Sequence, residues 1–301
     1  MIKLEKIISK LDEEFQVNVF GKDPAFSRFI PQVYDPIDFN WKSAFEKGFV
    51  SIFNGLMIKG APNVHRVFLA VFPTDHVLKT FISTSNTGDL LFMHHPLLME
   101  CGDPQGEWGE GFVPIQEKYI EQIKEKQLSI YTCHIPMDCH KSLGTNAAIA
   151  KALNVASIYK NEGNEFILYG TINKTNTDQL MTNLLPIFDI PYVDFEGQKR
   201  ENIEHVAIVA GCGDVVDWMK EAEQNGIQAY ISGEIHCHID NKYGKYKYNQ
   251  MMEFAKDTKM SLIGVSHSAS EYLAHRTVIK EWLEQHIPIQ TVLIPQEKWW
   301  L

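Results

Sequence analysis

The sequence predicts an α/β fold with mostly parallel sheets, and three observations support this prediction. The chain has 301 residues, of which 45% are hydrophobic and 22% charged, an ordinary composition for one large or two smaller globular domains. Several short runs are apolar throughout rather than alternating, which is typical of strands buried on both faces of a parallel sheet. Helical patterns lie between several of these runs. The apolar runs are residues 67–72, 90–93, 129–133, 206–210, 229–232 and 261–265.

The opening of the chain is expected to be helical. Its first eight residues alternate charged and apolar side chains and predict an amphipathic helix. Residues 22–40, rich in Pro, Asp and aromatic residues, predict an irregular surface segment before a second helix near 41–48.

Further helices are predicted between the apolar runs, at 117–127, 146–153 and 214–225. The last of these has Asp214 at its start as a candidate cap and Gly226 at its end. Residues 155–203 predict a strand–helix–strand insertion.

Charge and cysteine usage restrict the classes of partner. The net charge of −10 opposes binding to a phosphate backbone, so nucleic acid is not an expected partner. No run approaches the roughly 18 apolar residues of a membrane span, and the first residues lack a signal peptide's apolar stretch. The five cysteines form no CxxC pair. These features predict a soluble cytoplasmic protein without a membrane partner.

Histidines follow three of the predicted strands. His94 and His95 come directly after residues 90–93, His134 follows 129–133, and His267 follows 261–265. In open α/β sheets ligands bind beyond the carboxyl ends of the strands. A single histidine there is usually an ordinary hydrogen-bonded residue, but three separate imidazole positions favour a ligand site.

Carboxylates accompany two of these histidines. Asp138 follows His134 by four residues, and Glu271 follows His267 by four on an expected first helical turn, which places each pair on one face. Imidazole and carboxylate ligands favour Zn, Mn or Fe(II) over Cu(I) or an iron–sulfur cluster. Two such ions about 3.5–4 Å apart commonly activate water for hydrolysis. The sequence therefore predicts a site for two divalent metal ions.

The motifs together resemble one family. Their combination, over about residues 50–295, is similar to the Nif-three-like dinuclear metal-centre family, which includes YbgI and proteins called GTP cyclohydrolase I type 2 homologues. The motifs are Phe53-Asn-Gly-Leu56, Met93-His-His-Pro96, His134-Ile-Pro-Met-Asp-Cys-His140, Leu143-Gly-Thr-Asn146, Ser232-Gly-Glu234 and His267-Ser-Ala-Ser-Glu271.

The resemblance implies a ligand set. The family's adjacent histidines fall on His94 and His95, its aspartate on Asp138, and its closing His and Glu on His267 and Glu271, with Glu271 as the expected bridging carboxylate. It also implies two similar α/β lobes, a two-metal site in the cleft between them, and a toroidal homohexamer.

The resemblance also gives His134 a role and the lobes their boundaries. His134 matches a histidine beside the metals and is expected to be a ligand or a catalytic proton carrier. The first lobe is expected to span 1–154, completed by 266–301, and the second, inserted lobe to span 155–265. Residues 22–50 are longer here than in compact members, and the large central domain of longer members is absent. The glycine-rich turn reads Ala210-Gly-Cys-Gly-Asp214, which makes an anion-binding role for it doubtful.

Two classes of function follow. The first is a metal-dependent hydrolase of a small phosphorylated or nucleotide-like substrate, with ring opening of GTP as a narrower version. The second is a non-enzymatic metal-delivery or regulatory metal-binding protein. The sequence leaves open the roles of His236, His238 and the Trp299-Trp300 tail.

Overall fold

The computed structural model describes residues 1–160 and 164–301 and shows a mixed α/β fold with several sheets. The helices are α1 (Leu4–Glu14), α2 (Val17–Phe20), α3 (Phe26–Tyr34), α4 (Trp41–Ala44), α5 (Lys47–Ile52), α6 (Asp75–Thr84), α7 (Glu117–Glu125), α8 (Ile135–Asp138), α9 (Thr145–Ala152), α10 (Thr177–Phe188), α11 (Val216–Gln224), α12 (Lys242–Asp257), α13 (His267–Ala274) and α14 (Lys280–His286), with a 3-10 turn at Asp35–Ile37 and a π-helical turn at His275–Ile279. The strands are β1 (Ile2–Lys3), β2 (Gly55–Ile58), β3 (Asn63–Val64), β4 (Arg66–Ala70), β5 (Leu90–Met93), β6 (Leu98–Gly102), β7 (Trp108–Val113), β8 (Ser129–Thr132), β9 (Ser157–Lys160), β10 (Leu168–Thr175), β11 (Asp194–Gly197), β12 (Ile203–Val209), β13 (Ala229–Ser232), β14 (Ser261–Gly264) and β15 (Gln290–Leu293).

The first of two compact units comprises Met1–Met99, Phe112–His140 and His275–Glu297. Its five-stranded sheet has the order β15-β4-β5-β8-β2, in which β15, β4, β5 and β8 run parallel and β2 runs antiparallel to β8. Strands β4, β5 and β8 are three of the predicted apolar runs, and β5 and β8 are buried along their whole length. The carboxyl ends of these strands therefore lie at one edge of the sheet.

The segment 22–40 was predicted as an irregular surface stretch, and this prediction is wrong. Its middle forms α3, in which Phe26, Ile30 and Tyr34 are fully buried. These residues are spaced by four, so they lie along one face of the helix and enter the core of the first unit. Asp23 accepts hydrogen bonds from the backbone N–H groups of Ala25 and Phe26, 2.9 Å each, and starts this helix.

The second unit comprises Glu100–Gly111, Lys141–Ala274 and Lys298–Leu301. Its six-stranded sheet has the order β11-β14-β13-β12-β10-β9. The three central strands are the predicted apolar runs and are parallel, whereas the flanking strands pair antiparallel. The inserted segment 155–203 differs from its predicted strand–helix–strand order, because β9 and β10 pair before α10 and β11 follow.

The predicted cap of α11 is also wrong. Asp214 does not cap this helix, whose N-cap position is Val215 and has no side-chain cap. Asp214 is buried and binds Lys247 Nζ on α12 at 2.8 Å instead. Burial raises the pKa of the Asp214 carboxyl, an effect that Lys247 opposes. The carboxylate therefore joins two helices rather than ending one.

The chain crosses to the second unit in the hairpin of β6 and β7, of which residues 100–111 belong to that unit. Gly109 makes a parallel bridge with Ile239 there. Within the described ranges, no helix is both long and apolar enough to cross a membrane. The predicted lobe boundaries at 154/155 and 265/266 stay a prediction.

Candidate metal centres

The first unit gathers imidazoles at one edge of its sheet. His94 and His95 leave β5, and His134 leaves β8, its parallel neighbour, whose Thr132 is paired with Met93. The backbone N–H of His95 donates to Val71 O at 3.0 Å, and His94 Nδ1 lies 2.7 Å from Cys133 O. The sheet itself thus brings together histidines that are about 40 residues apart in sequence.

These three histidines form a compact cluster in which His94 and His95 are buried and His134 is partly exposed. Their ring centroids are 4.6 Å (His94–His95), 5.2 Å (His94–His134) and 4.9 Å (His95–His134) apart. One nitrogen from each ring can be chosen so that all lie within 4.8 Å of one another. His94 and His95 are only 0% and 4% exposed. An arrangement of this size and donor type can hold a divalent cation.

Asp138 joins the cluster through the short helix α8. Its Oδ1 lies 3.3 Å from His94 Nε2 and its Oδ2 lies 3.9 Å from His134 Nε2. The backbone N–H of His134 donates to Asn54 Oδ1 at 2.8 Å, which gives the Phe53-Asn-Gly-Leu56 motif a structural role. Four residues predicted for the site therefore meet within the first unit.

Asp23 fixes the ring of His134, and sequence reasoning missed it. His134 Nδ1 lies 2.8 Å from Asp23 Oδ2, and the carboxyl is 2% exposed. Burial alone would raise the pKa of Asp23, but His134 and the amides of Phe26 and Ala25 outweigh burial and lower it. An ionised carboxylate at Nδ1 accepts the proton of that nitrogen, so the tautomer it favours carries its lone pair on Nε2. The sequence feature that could have identified Asp23 is its position just before the apolar face of α3.

Aromatic rings surround the imidazoles. Phe26 meets His134 and His95 edge-on, with centroids 4.7 and 5.5 Å apart, and Phe72 stacks on His95 at 4.4 Å. This apolar wall holds the rings in place and lowers the local dielectric constant, which strengthens any ligand–cation interaction.

The second unit carries the other predicted pair. The helix α13 begins at His267, and Glu271 follows one turn later, so His267 Nε2 lies 3.0 Å from Glu271 Oε1. Both side chains are buried, at 2% and 3% exposure. Burial would lower the pKa of His267, but Glu271, Cys212 and Glu234 raise it well above its usual range. The pair is one imidazole and one carboxylate that can face a cation.

A glycine turn presses against this pair. Gly211 has φ +66°, and a Cβ placed there would overlap Glu271 Oε1 and lie 3.1 Å from His267 Nε2. The turn is held by Asn146, whose Oδ1 accepts from Ala210 N at 2.7 Å, and by Ser270, whose Oγ accepts from Gly211 N at 2.9 Å. The Gly-Cys-Gly segment therefore allows the backbone to approach the candidate ligands closely.

The other nitrogen of His267 faces a group that includes thiols. His267 Nδ1 and Glu234 Oε1 form a short hydrogen bond, and Cys101 Sγ donates to the same carboxylate oxygen at 2.8 Å. Cys101, Glu234 and His267 offer three donor atoms within 4.8 Å of one another. The sequence did not predict this thiol-containing group. Its cysteines form no CxxC pair, and partners 133 residues apart leave no local pattern.

His236 and His238, whose roles the sequence left open, lie beside carboxylates and aromatic rings of the second unit. His236 Nδ1 lies 2.5 Å from Asp194 Oδ2, and His236 Nε2 lies 3.2 Å from Glu196 Oε1. His238 packs against Trp108, with centroids 5.0 Å apart. Among residues 1–160 and 164–301, neither histidine falls in a group of three potential metal ligands.

The structure thus shows buried groups of histidine, carboxylate and cysteine that could bind metal ions, in each unit taken by itself. His94, His95, His134 and Asp138 are together in the first, and His267 and Glu271 in the second. Their donors are those that Zn, Mn and Fe(II) prefer, so the residues fit the predicted metals. A single five-ligand site for two ions stays a prediction.

Comparison with known proteins gives a consistent family. Residues 52–298 match the model of the family described as Duf34/NIF3 (NGG1p interacting factor 3). A GTP cyclohydrolase 1 type 2 homolog of Pyrococcus abyssi is 25% identical over 252 residues, covering 80% of this chain and 88% of that relative. Another from Halobacterium salinarum is 28% identical over 229 residues, covering 72% of this chain and 80% of that relative.

Solved structures show the same fold. A structural-genomics structure of protein ybgI, of unknown function, has a TM-score of 0.71 at 17% identity and covers 99% of this chain and 100% of that chain. TTHA1606 from Thermus thermophilus has a TM-score of 0.65 at 17% identity, with 99% of each chain covered. At these identities the likeness concerns the fold alone.

Proposed function

The chain belongs to the Duf34/NIF3 family, and on that premise we propose that it is a metal-dependent hydrolase of a small phosphorylated or nucleotide-like substrate. The observation that carries the proposal is the buried cluster of His94, His95 and His134 with Asp138 beside it. Three converging imidazoles with a carboxylate form a typical first-row metal site, and burying them together without such a use is costly.

The proposed ligands of two divalent cations are His94, His95, Asp138, His267 and Glu271, with Glu271 as the bridging carboxylate. The chemistry that two such cations supply is polarisation of the scissile group and activation of a water molecule at neutral pH. The net charge of −10 supports a metal-based mechanism, because an anionic substrate needs local positive charge on this surface.

The chain's own contribution centres on His134. Asp23 holds the proton of this ring at Nδ1 and so directs the Nε2 lone pair toward Asp138, 3.9 Å away. In this tautomer Nε2 either ligates a cation or accepts the proton of an attacking water and returns it to the leaving group. Phe26 packs against His134 and Phe72 against His95, so these rings shield one side of the imidazoles from water and support their orientation.

Turnover by metal-loaded protein tests the proposal. Protein loaded with Mn²⁺ or Zn²⁺ is incubated with a panel of phosphoesters, nucleotides and cyclic amides, beside the double variant His95→Ala, Glu271→Ala. His65→Ala, which changes an exposed histidine, is the matched control. We expect turnover by wild type and His65→Ala and at least a 100-fold loss in the double variant. Equal rates in wild type and double variant would contradict hydrolysis at this site.

The same protein preparation also tests ring opening of GTP and metal delivery. The relatives' printed name makes GTP one member of the panel, and formate release from GTP would identify ring opening as the reaction. A metal-delivery protein is the alternative. It predicts that bound metal passes rapidly to an apo-acceptor protein while no substrate on the panel is consumed.

We propose further that the chain forms two similar lobes, 1–154 with 266–301 and the inserted 155–265, with the two-metal site in the cleft between them. By the family resemblance the expected assembly is a homohexamer. Sedimentation equilibrium of the full chain tests the assembly, and a purely monomeric species over the micromolar range would contradict it.

A further inference from the structure

We infer that Cys101, Cys212, Glu234 and His267 Nδ1 form a separate site for one soft or borderline divalent cation, such as Zn²⁺ or Cd²⁺. All four residues belong to the second unit. The site is distinct from the imidazole–carboxylate centre proposed above, because it uses thiols and the opposite nitrogen of His267. The inference does not rest on the hydrolase proposal.

The first support is convergence on one oxygen. Glu234 Oε1 accepts hydrogen bonds from Cys101 Sγ at 2.8 Å and Cys212 Sγ at 3.7 Å, and it forms a short hydrogen bond with His267 Nδ1. Three hydrogen-bonding protons therefore surround one carboxylate oxygen. A single cation could replace them, with the same four side chains as its ligands. Glu234 and Cys101 are buried, at 7% and 3% exposure, so bulk water does not compete at these two donors.

The second support is the spacing of the donors. A tetrahedral zinc with Zn–S of about 2.3 Å and Zn–N or Zn–O of about 2.0 Å separates sulfur from nitrogen or oxygen by roughly 3.5 Å. Cys212 Sγ lies 3.6 Å from His267 Nδ1 and 3.7 Å from Glu234 Oε1, which matches those edges. The two shorter contacts are hydrogen bonds. Once a cation replaces their protons, the Cys101–Glu234 contact would lengthen by about 0.7 Å and the His267–Glu234 contact by a larger distance.

The third support is charge and access. Two thiolates and a carboxylate offset the charge of a divalent cation, and each thiol proton passes to solvent as its sulfur–metal bond forms. Cys212 is an exposed residue, so this side of the site lies next to solvent. A cavity of about 20 Å³, room for one water-sized species, adjoins two of the four proposed ligands, Cys101 and Glu234.

The donor set also selects the class of ion. Thiolates favour Zn²⁺, Cd²⁺ and Cu(I) over Mn²⁺ and Mg²⁺, whereas the imidazole–carboxylate centre accepts Mn²⁺. When only the thiol-containing site is occupied, Nδ1 of His267 ligates the cation and the ring proton sits on Nε2, which lies 3.0 Å from Glu271 Oε1 and can donate to it. The ligand ring therefore keeps a carboxylate partner on its far side, as metal-bound histidines usually do. When both centres are occupied, the ring loses this proton to solvent and bridges them as an imidazolate.

Cobalt substitution tests the site with a signal that only sulfur ligation gives. The full chain is reduced with a phosphine, stripped with a chelator and titrated anaerobically with Co²⁺, and the thiolate-to-cobalt charge-transfer absorption in the near ultraviolet is recorded. We expect a band whose final intensity corresponds to one thiolate-ligated Co²⁺ per chain, beside any Co²⁺ that the imidazole–carboxylate centre binds without such a band. Cys101→Ser and Cys212→Ser are each expected to lose at least half of its intensity and to weaken Co²⁺ binding at this site tenfold or more.

Two controls assign the band. Cys237→Ser removes a buried thiol of the same unit that is not one of the four proposed ligands, and it is expected to leave the band unchanged. The double variant His94→Ala, His95→Ala removes ligands of the other centre and is also expected to keep the band, so failure of that centre is distinguishable. Absence of the band in wild type, or its persistence in both Cys101→Ser and Cys212→Ser, would overturn the inference.

A measurement on the unaltered chain covers the case in which the serine variants fail to fold. Cadmium-113 NMR of wild-type protein with one equivalent of Cd²⁺ is expected to give a single resonance in the range of mixed sulfur, nitrogen and oxygen ligation. A resonance in the range of purely nitrogen and oxygen ligands would overturn the site without any substitution.

Discussion

Asp23 has two roles: it orients the ring of His134, and it accepts backbone hydrogen bonds at the start of α3. A single substitution separates these roles. Asp23→Asn keeps Oδ1 as the acceptor that starts α3 but replaces Oδ2 by an amide NH₂, which cannot accept from His134 Nδ1. The ring is then expected to turn or change tautomer. We predict about 10–100-fold weaker metal binding or turnover, measured by competition with a chromogenic chelator.

The matched control is Asp217→Asn, at a carboxylate whose side chain is 92% exposed. It should leave metal affinity unchanged. Equal affinity in Asp23→Asn and wild type would show that this carboxylate does not tune the site.

Gly211 tests whether the close approach of its backbone to Glu271 matters. Gly211→Ala combines strain at φ +66° with overlap between the new methyl group and Glu271 Oε1. Gly226→Ala has a similar φ of +78° but no neighbour within 4 Å, so it measures the backbone strain alone. By denaturant unfolding we expect about 1–2 kcal/mol of destabilisation in Gly226→Ala and a larger loss in Gly211→Ala, with loss of metal binding only in Gly211→Ala. Normal metal binding in Gly211→Ala would contradict the close packing.

Asp12 offers a pH-dependent prediction. Burial raises the pKa of its carboxyl, which the Tyr131 hydroxyl, donating at 2.8 Å, only partly opposes. Because the folded-state pKa is raised, ionised Asp12 costs stability above that pKa, and the cost disappears as pH falls below the unfolded value of about 3.9. Asp12→Asn should therefore be more stable than wild type at neutral pH, by a margin that shrinks on acidification. A margin independent of pH would exclude this cause.

At the scale of elements, the strands were predictable and one helix was not. The apolar runs at 90–93 and 229–232 coincide with β5 and β13, because strands buried on both faces carry a continuous signal that needs no context. The helix α3 was missed because Pro24, Pro31 and the aromatic residues suggest a loop. Its buried face at Phe26, Ile30 and Tyr34 packs into a core that only the tertiary structure provides.

A buried carboxylate connects the amino-terminal ends of the neighbouring strands β4 and β5. Asp89 is 0% exposed and accepts from Arg66 Nε at 3.0 Å, Arg66 Nη2 at 2.6 Å and Asn86 N at 2.9 Å. Asp89→Ala leaves a partly buried guanidinium without its partner, and we predict a loss of about 3–5 kcal/mol in the free energy of unfolding.

An exposed ion pair provides the contrast. Glu253→Gln removes the partner of Lys256, with both side chains at least 66% exposed, and should leave the free energy of unfolding close to that of wild type in the same denaturant titration. Similar losses in Asp89→Ala and Glu253→Gln would contradict the structural role of the buried pair.

At the scale of the whole molecule, the sequence predicted more of the candidate site than of its surroundings. Histidines at the ends of apolar strands and carboxylates four residues later are local signals, and the structure groups them within each unit. Asp23, Cys101 and Glu234 act across 111, 133 and 33 residues of sequence, so no local spacing could connect them to their partners. Only the fold brings such residues together.

The proposed function requires two divalent cations on imidazole and carboxylate ligands, and manganese tests this requirement most directly. Mn²⁺ is disfavoured by thiolates, so it reports on this centre alone. Stripped protein is loaded with Mn²⁺, freed of excess ion, and analysed for metal content and by electron paramagnetic resonance. We predict two Mn²⁺ per chain with the exchange-coupled spectrum of ions about 3.5–4 Å apart, and loss of that spectrum in His95→Ala, Glu271→Ala. A single uncoupled Mn²⁺ signal, unchanged in the double variant, would contradict the proposed function.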